Sequence, residues 1–185
     1  MKVISFPNMR KLIILDLYGT ILKADKIDEV ARPGLQEFLN HYSNSKKVIF
    51  SDGNIDRVEA DLQLAGLSNK FDGIYDRRHC IAEQAYHISN KKFRKLLMSQ
   101  GGGDIKNLGQ ACKDFSVPKS DAVFIGDNLL GRDRKSAEFH GIKFVRIPQF
   151  RDNLPRYSER EHMEQYIEYE SPMNPFSFAL LIGKV

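Results

Sequence analysis

The chain has 185 residues, 42% of them hydrophobic and 28% charged, with a formal net charge of +4. That length suits one domain burying about 70% of its unfolded surface, and the composition excludes an intrinsically disordered chain. Its longest apolar runs, Leu12 to Leu15 and Phe178 to Ile182, fall far short of the roughly 18–20 residues that cross a bilayer, and Pro7 and Asn8 break up the start where a secretory signal needs an apolar core, so a cytoplasmic protein without membrane association is expected.

The first predicted element is a strand, Lys11-Leu-Ile-Ile-Leu-Asp16, whose continuous apolar run suits burial on both faces, followed by the turn Leu17-Tyr-Gly-Thr20. Arg32-Pro33-Gly34 then opens a helix in which Leu35, Phe38, Leu39 and Tyr42 share one face. A second strand covers Lys47 to Ser51, and a second helix runs from Asn54 to Ala65 before Gly66. Phe71 to Tyr75 reads as a short strand, while Arg77 to Ser99 has no clean period and, with the loop Gly101-Gly-Gly103, holds at most a small insertion. A helix over Ile105 to Phe115, a strand over Asp121 to Gly126, a helix reaching Ser136 to His140 and a strand over Ile142 to Ile147 complete the pattern.

Strands alternating with helices imply right-handed crossovers and a mainly parallel, Rossmann-like sheet in a three-layer α/β/α sandwich without a large cap. The expected domain spans residues 1–150. Residues 151–185 form a C-terminal tail that either docks on the domain or pairs with a partner. In such sheets ligands sit beyond the carboxyl ends of the strands, where Asp16, Ser51 and Asp127 all fall.

These residues carry a resemblance. The strand ending Asp16-Leu17-Tyr18-Gly19-Thr20, the strand ending in Ser51, a lysine upstream of the later strand and Gly126-Asp127 followed by Asp133 together resemble, in order and spacing, the four motifs of the haloacid dehalogenase-like hydrolase superfamily. Arg32 to Leu39 resembles the segment after the first motif in its compact, cap-poor phosphatases, and the resemblance spans about residues 11 to 148. For the lysine, Lys106 is chosen over Lys113 and Lys119.

The resemblance implies a phosphohydrolase in which Asp16 forms an aspartyl phosphate. Mg²⁺ would sit at Asp16, Tyr18, Asp127 and Asp133, with Tyr18 also among the catalytic residues. Ser51 and Lys106 would hold the transferring phosphoryl group, and Leu17, Thr20, Asp52 and Gly53 would surround the substrate. The physical need is plain: a carboxylate must approach an anionic phosphorus, and a hard divalent cation with a lysine offsets the repulsion.

Tyr18 departs from the phosphatase pattern, which has an aspartate there as acid and base; a phenol with its ordinary pKa near 10 donates a proton but is a poor base. Asp52 and Asp133 are alternative proton carriers. The same Asp-x-Tyr-Gly-Thr occurs in 2-haloacid dehalogenases, which attack carbon without metal beneath a helical cap, yet Ile21 to Lys47 leaves no room for one here. A third reading is a binding or scaffold protein that kept the fold with weak catalysis. An open site implies a phosphorylated partner, macromolecules included, or an oligomer that closes it.

Read singly, Asp16 is a strand-ending turn residue, Asp133 a helix N-terminal acid and Lys106 a solvated helix lysine. The basic run Lys91 to Lys95 reads as a solvated face, and the net charge does not by itself indicate nucleic acid. Cys80 and Cys112 lie outside any CxxC or metal-ligand spacing and read as reduced thiols.

Overall fold

A computed structural model of the chain describes residues 11–24, 31–81 and 105–151, with 84, 91, 92 and 95 between them. Among the described residues, five strands form one sheet, all parallel: β1 (Leu12–Leu15), β2 (Lys46–Phe50), β3 (Gly73–Tyr75), β4 (Ala122–Gly126) and β5 (Lys143–Arg146), in the order β3-β2-β1-β4-β5. The order reverses between β1 and β4. That switch point opens a crevice at their carboxyl ends, which is where Asp16 and Asp127 stand.

Strand alternation sorts the core into two faces. Ile13, Leu15, Ile49 and Ile125 face one cluster with Phe38 and Leu39 of α1 (Leu35–His41) and Val58 and Leu62 of α2 (Ile55–Leu64). Leu12, Ile14, Val48, Phe50 and Phe124 face the other, against Leu108 and Ala111 of α3 (Leu108–Asp114) and Ala137 of α4 (Arg132–His140). Both sheet faces are thus covered, and burying each such leucine, isoleucine, valine or phenylalanine side chain contributes about 1.5–3 kcal/mol. This is the three-layer sandwich expected. The connection from β1 to β2 is residues 16–45, with α1 its described helix, too short a stretch for a large cap.

Two boundaries are shifted from expectation, each for a local reason. The helix expected from Ile105 starts at Leu108, because Ile105 O accepts from Ile81 N and Lys106 N donates to Ser136 Oγ, which holds both residues extended in a bridge to Cys80. Lys106 is therefore not a helix residue. The short strand starts at Gly73 instead of Phe71, since the Asp72 carboxylate accepts from Lys47 N and Lys46 Nζ. The last helix starts at Arg132, with Asp133 in its first turn facing the positive end of the dipole. Most of the segment from 82 to 104 and the tail beyond Arg151 lie outside the described residues.

Candidate functional site

Asp16 leaves β1 with its amide bonded to Ile125 O, which fixes the start of its side chain against β4. The turn that follows is tight enough that Gly19 adopts φ +80°, and a Cβ there would fall 2.2 Å from Asp127 Oδ2. Only glycine allows the close approach. Thr20 Oγ1 donates to Asp16 Oδ2 at 2.9 Å and accepts from Asp127 N at 3.0 Å, so one buried hydroxyl ties the ends of β1 and β4 together. Gly126 does the same service for Asp133, whose Oδ2 would lie 2.4 Å from any Cβ at 126.

Asp16, Asp127 and Asp133 are all buried, and one ligand oxygen from each lies within 4.8 Å of the others. Lys106 reaches into this group from the extended segment before α3: its Nζ donates to Asp16 Oδ1 at 2.6 Å and to Asp133 Oδ1 at 3.0 Å, and its side chain is only 2% exposed. One face of α4 holds it there. Ser136 Oγ accepts from Lys106 N, and His140 Nε2 lies 3.2 Å from Lys106 O; Asp133, Ser136 and His140 recur at helical spacing.

One ammonium shared among three carboxylates leaves the group under-neutralised, and that explains why the two kinds of group shift together. Burial, reinforced by Asp133 and Asp127 and opposed by Lys106, pushes Asp16 up to about 8. Burial and Asp133 push Asp127 up to about 6. Burial alone would lower Lys106, but Asp133 and Asp16 hold it well above its usual range, so it stays charged. The cavity over these groups, about 200 Å³, is lined by four carboxylates (Asp16, Asp52, Asp127 and Asp133) against two cations, Lys106 and Arg132. A divalent cation balances that deficit. Hard, buried carboxylate oxygens are the donors Mg²⁺ takes, so the residues present fit it.

A pH dependence follows. The carboxyls of Asp16 and Asp127 keep their protons to higher pH in the folded chain than in the unfolded one, so the unfolded state deprotonates first. Stability without divalent cation is expected to fall as pH rises from about 4 through about 8. A cation that binds only the ionised carboxylates offsets the fall. In thermal denaturation, Mg²⁺ should therefore raise Tm by more at about pH 8 than at about pH 5; an equal effect at both, or none, counts against the site.

The remaining expected residues are placed as follows. Ser51 is fully buried at the end of β2 and lines the cavity; its Oγ accepts from Gly53 N at 3.1 Å, which leaves its O–H to donate inward. Asp52 lines the same cavity and pairs with Arg132. Gly53 shapes the turn, its amide on Ser51 and its carbonyl accepting from Arg77 N. The Leu17 side chain packs in the core and Thr20 is spent on Asp16 and Asp127, so neither side chain is offered to the cavity.

Tyr18 does line the cavity, but its hydroxyl donates to Asp61 Oδ2 on α2 at 2.6 Å, while Arg57 lies over its ring. Burial and the Asp61 carboxylate raise its pKa far above that of a free phenol. The phenol is thereby kept from both the metal group and base chemistry. Lys113 and Lys119, the alternatives to Lys106, are exposed.

Supports that the sequence reading missed surround the set. Gln149 Nε2 donates to Asp127 Oδ2 at 2.9 Å, and Leu129 N to Asp127 Oδ1. Arg32, 1% exposed, donates to the carbonyls of Thr20 at 3.1 Å and Pro148 at 2.7 Å, joining the turn after Asp16 to the segment after β5. Asn128, at φ 64°, donates its amide to Asp133 Oδ2 and accepts from Arg134 N, a left-handed position that asparagine tolerates.

No family model matches the sequence, and neither does any curated protein. Solved structures do share the fold. The L-2-haloacid dehalogenase from Xanthobacter autotrophicus superposes with a TM-score of 0.54 at 13% identity, over 88% of this chain and 85% of that one. A HAD-superfamily hydrolase, subfamily IA, variant 1, from Geobacter sulfurreducens PCA gives 0.50 at 15% identity over 88% and 99%. A predicted phosphoglycolate phosphatase from Haemophilus somnus 129PT gives 0.50 at 13% identity over 81% and 91%. The fold of this chain is that of the haloacid dehalogenase-like hydrolases.

Proposed function

We propose that the protein is a Mg²⁺-dependent phosphohydrolase that transfers the phosphoryl group of a phosphomonoester to Asp16 and then to water. The observation that carries this reading is the shared Lys106: its Nζ bridges Asp16 and Asp133 while Asp127 completes three buried carboxylates, an arrangement with a nucleophile, a phosphate-neutralising cation and a hard-donor metal set in one cavity. A metal-independent dehalogenase needs a nucleophilic carboxylate and a base for hydrolysing its ester intermediate, but no set of three hard donors around one point.

Asp16, Asp127 and Asp133 would hold the Mg²⁺, which when bound neutralises the carboxylates and polarises the phosphoryl oxygens. The Ser51 hydroxyl donates to one transferring oxygen and Lys106 to another, while Thr20 keeps Asp16 aimed from the switch point. As an oxygen nucleophile attacks phosphorus, the ester bond breaks and the leaving oxygen carries away the electron pair. Its proton is the weak part of this site. Tyr18 is tied to Asp61, and the alternative carriers Asp133 and Asp52 are paired with Lys106 and Arg132, so leaving groups that need no proton are favoured and hydrolysis of the aspartyl phosphate is slow for want of an available base. The same bond is the observation that favours a catalytically weak binding protein as the second reading. No described helix is long and apolar enough to cross a membrane, and Cys80 and Cys112 are free and buried, which suits a cytoplasmic enzyme.

The reading is tested with para-nitrophenyl phosphate and acetyl phosphate in Mg²⁺ or in chelator, and with 2-chloropropionate in chelator. Phosphate release that requires Mg²⁺ supports it, whereas halide release in chelator transfers the assignment to dehalogenation. In the same assay, Tyr18→Asp combined with Asp61→Asn, which installs a carboxylate while removing its like-charged neighbour, is expected to raise turnover on the order of 10²-fold. No gain would show that proton transfer is not what limits the site.

A further inference from the structure

Two charged groups of the cavity remain outside the nucleophile, phosphate and metal set. Arg132 begins α4 and Asp52 follows β2, and Arg132 Nη1 donates to Asp52 Oδ2 at 3.0 Å across the cavity that both line. Their side chains are 33% and 41% exposed, against 2% for Lys106, so they form its outer rim while the carboxylate group and Ser51 form its floor. We propose that this pair is an anion clasp that selects substrates carrying a second anionic group near the scissile phosphate: that group replaces Asp52 as the partner of Arg132. The inference rests on the phosphohydrolase reading and deepens it.

Exchange is the step that the chemistry favours. A half-exposed ion pair is held weakly, because water competes for both charges and two flexible side chains must be ordered. A guanidinium has donors to spare after one bond, in a planar fork that matches carboxylate or phosphate oxygens. Arg132 is itself held at its backbone, since its carbonyl accepts from Ser136 Oγ at 2.8 Å, in the same helix that positions Asp133. The distance between floor and rim is thus set by one short helix turn. With Asp52 in place the rim is neutral and takes up an arginine that would otherwise attract any anion. A cavity of about 200 Å³ leaves room for a small connecting group between the two anions.

The test compares three aryl esters whose phenolates leave without a proton: phenyl phosphate, which has no second anion, 3-carboxyphenyl phosphate, which adds a carboxylate, and 1,3-phenylene bisphosphate, which adds a phosphate, in the full chain with Mg²⁺. The wild type is expected to show a kcat/KM higher for the two doubly anionic compounds, and Arg132→Ala to lower that preference about tenfold through KM, with fold checked by circular dichroism. Asp52→Asn, which weakens the competitor, is expected to strengthen the preference. A loss confined to one of the two compounds identifies which anion the clasp takes. An equal loss on all three compounds in Arg132→Ala overturns the clasp while leaving the phosphohydrolase reading standing; no Mg²⁺-dependent hydrolysis of any compound by the wild type overturns both.

Discussion

Asp16→Asn is expected to abolish turnover, by about 10⁴-fold or more, while leaving the fold intact or more stable. The amide keeps an oxygen to accept from Thr20, whose bond to Asp16 is 2.9 Å, so the turn between β1 and β4 retains its tie. What it loses is the proposed nucleophile, one of the three crowded charges and one of the two carboxylates bonded to Lys106, which keeps Asp133 at 3.0 Å as its counter-charge. Because burial and the neighbouring carboxylates disfavour an ionised Asp16, its replacement by a neutral isostere relieves repulsion in the metal-free protein. Measured together, kcat and Tm separate a chemical role from a structural one. Lost activity at unchanged or raised Tm is the predicted outcome, whereas retained activity, or loss that follows unfolding, contradicts the role.

Lys106→Met is expected to cost both activity and stability. Removing the proposed donor to the phosphoryl group should lower kcat by about 10²–10³-fold. Removing the cation from a 2%-exposed position leaves Asp16, Asp127 and Asp133 facing one another without a counter-charge, and breaking such a buried pair destabilises by about 3–5 kcal/mol. Mg²⁺ then carries more of the neutralisation, so the loss of Tm is expected to shrink when Mg²⁺ is added. Lys113→Met and Lys119→Met, both at exposed positions, should stay within about 0.5 kcal/mol of the wild type. Denaturant titrations of the three variants with and without Mg²⁺ check this. Equal stability of Lys106→Met and the wild type would remove Lys106 from the centre of the site.

The strands were legible because a sheet covered on both faces demands unbroken apolar runs, and Leu12–Leu15 and Ala122–Gly126 are such runs. The acids at their ends were legible for the same reason: a polar residue closing an apolar strand at a switch point has few structural uses. Lys106 was found among three lysines, but its extended backbone was not, since the groups that hold it, Ser136 and His140, lie in a helix far along the chain. Their spacing behind Asp133 on one helix face was the signal available. In sequence Gln149 looks like an ordinary loop residue and Arg32 like the opening of a helix; their roles arise from the segment after β5 folding back over the turn after Asp16, where Phe150 N bonds Gly19 O. The capture of Tyr18 by Asp61 likewise depends on α2 packing beside the cavity, which sequence spacing does not report.

The chemistry of Tyr18 also decides what the central measurement looks like. With the phenol held by Asp61, and Asp133 and Asp52 paired with Lys106 and Arg132 and so weak as bases for the second step, an aspartyl phosphate formed on Asp16 should outlive its formation and accumulate. Intact-mass analysis of the protein after mixing with acetyl phosphate, in Mg²⁺ and in chelator, followed by peptide mapping of the modified carboxylate, observes it directly. One phosphoryl group on Asp16, present only with Mg²⁺ and absent in Asp16→Asn, is the predicted result; phosphate on another residue, or substrate turnover without any dependence on Asp16, would contradict it.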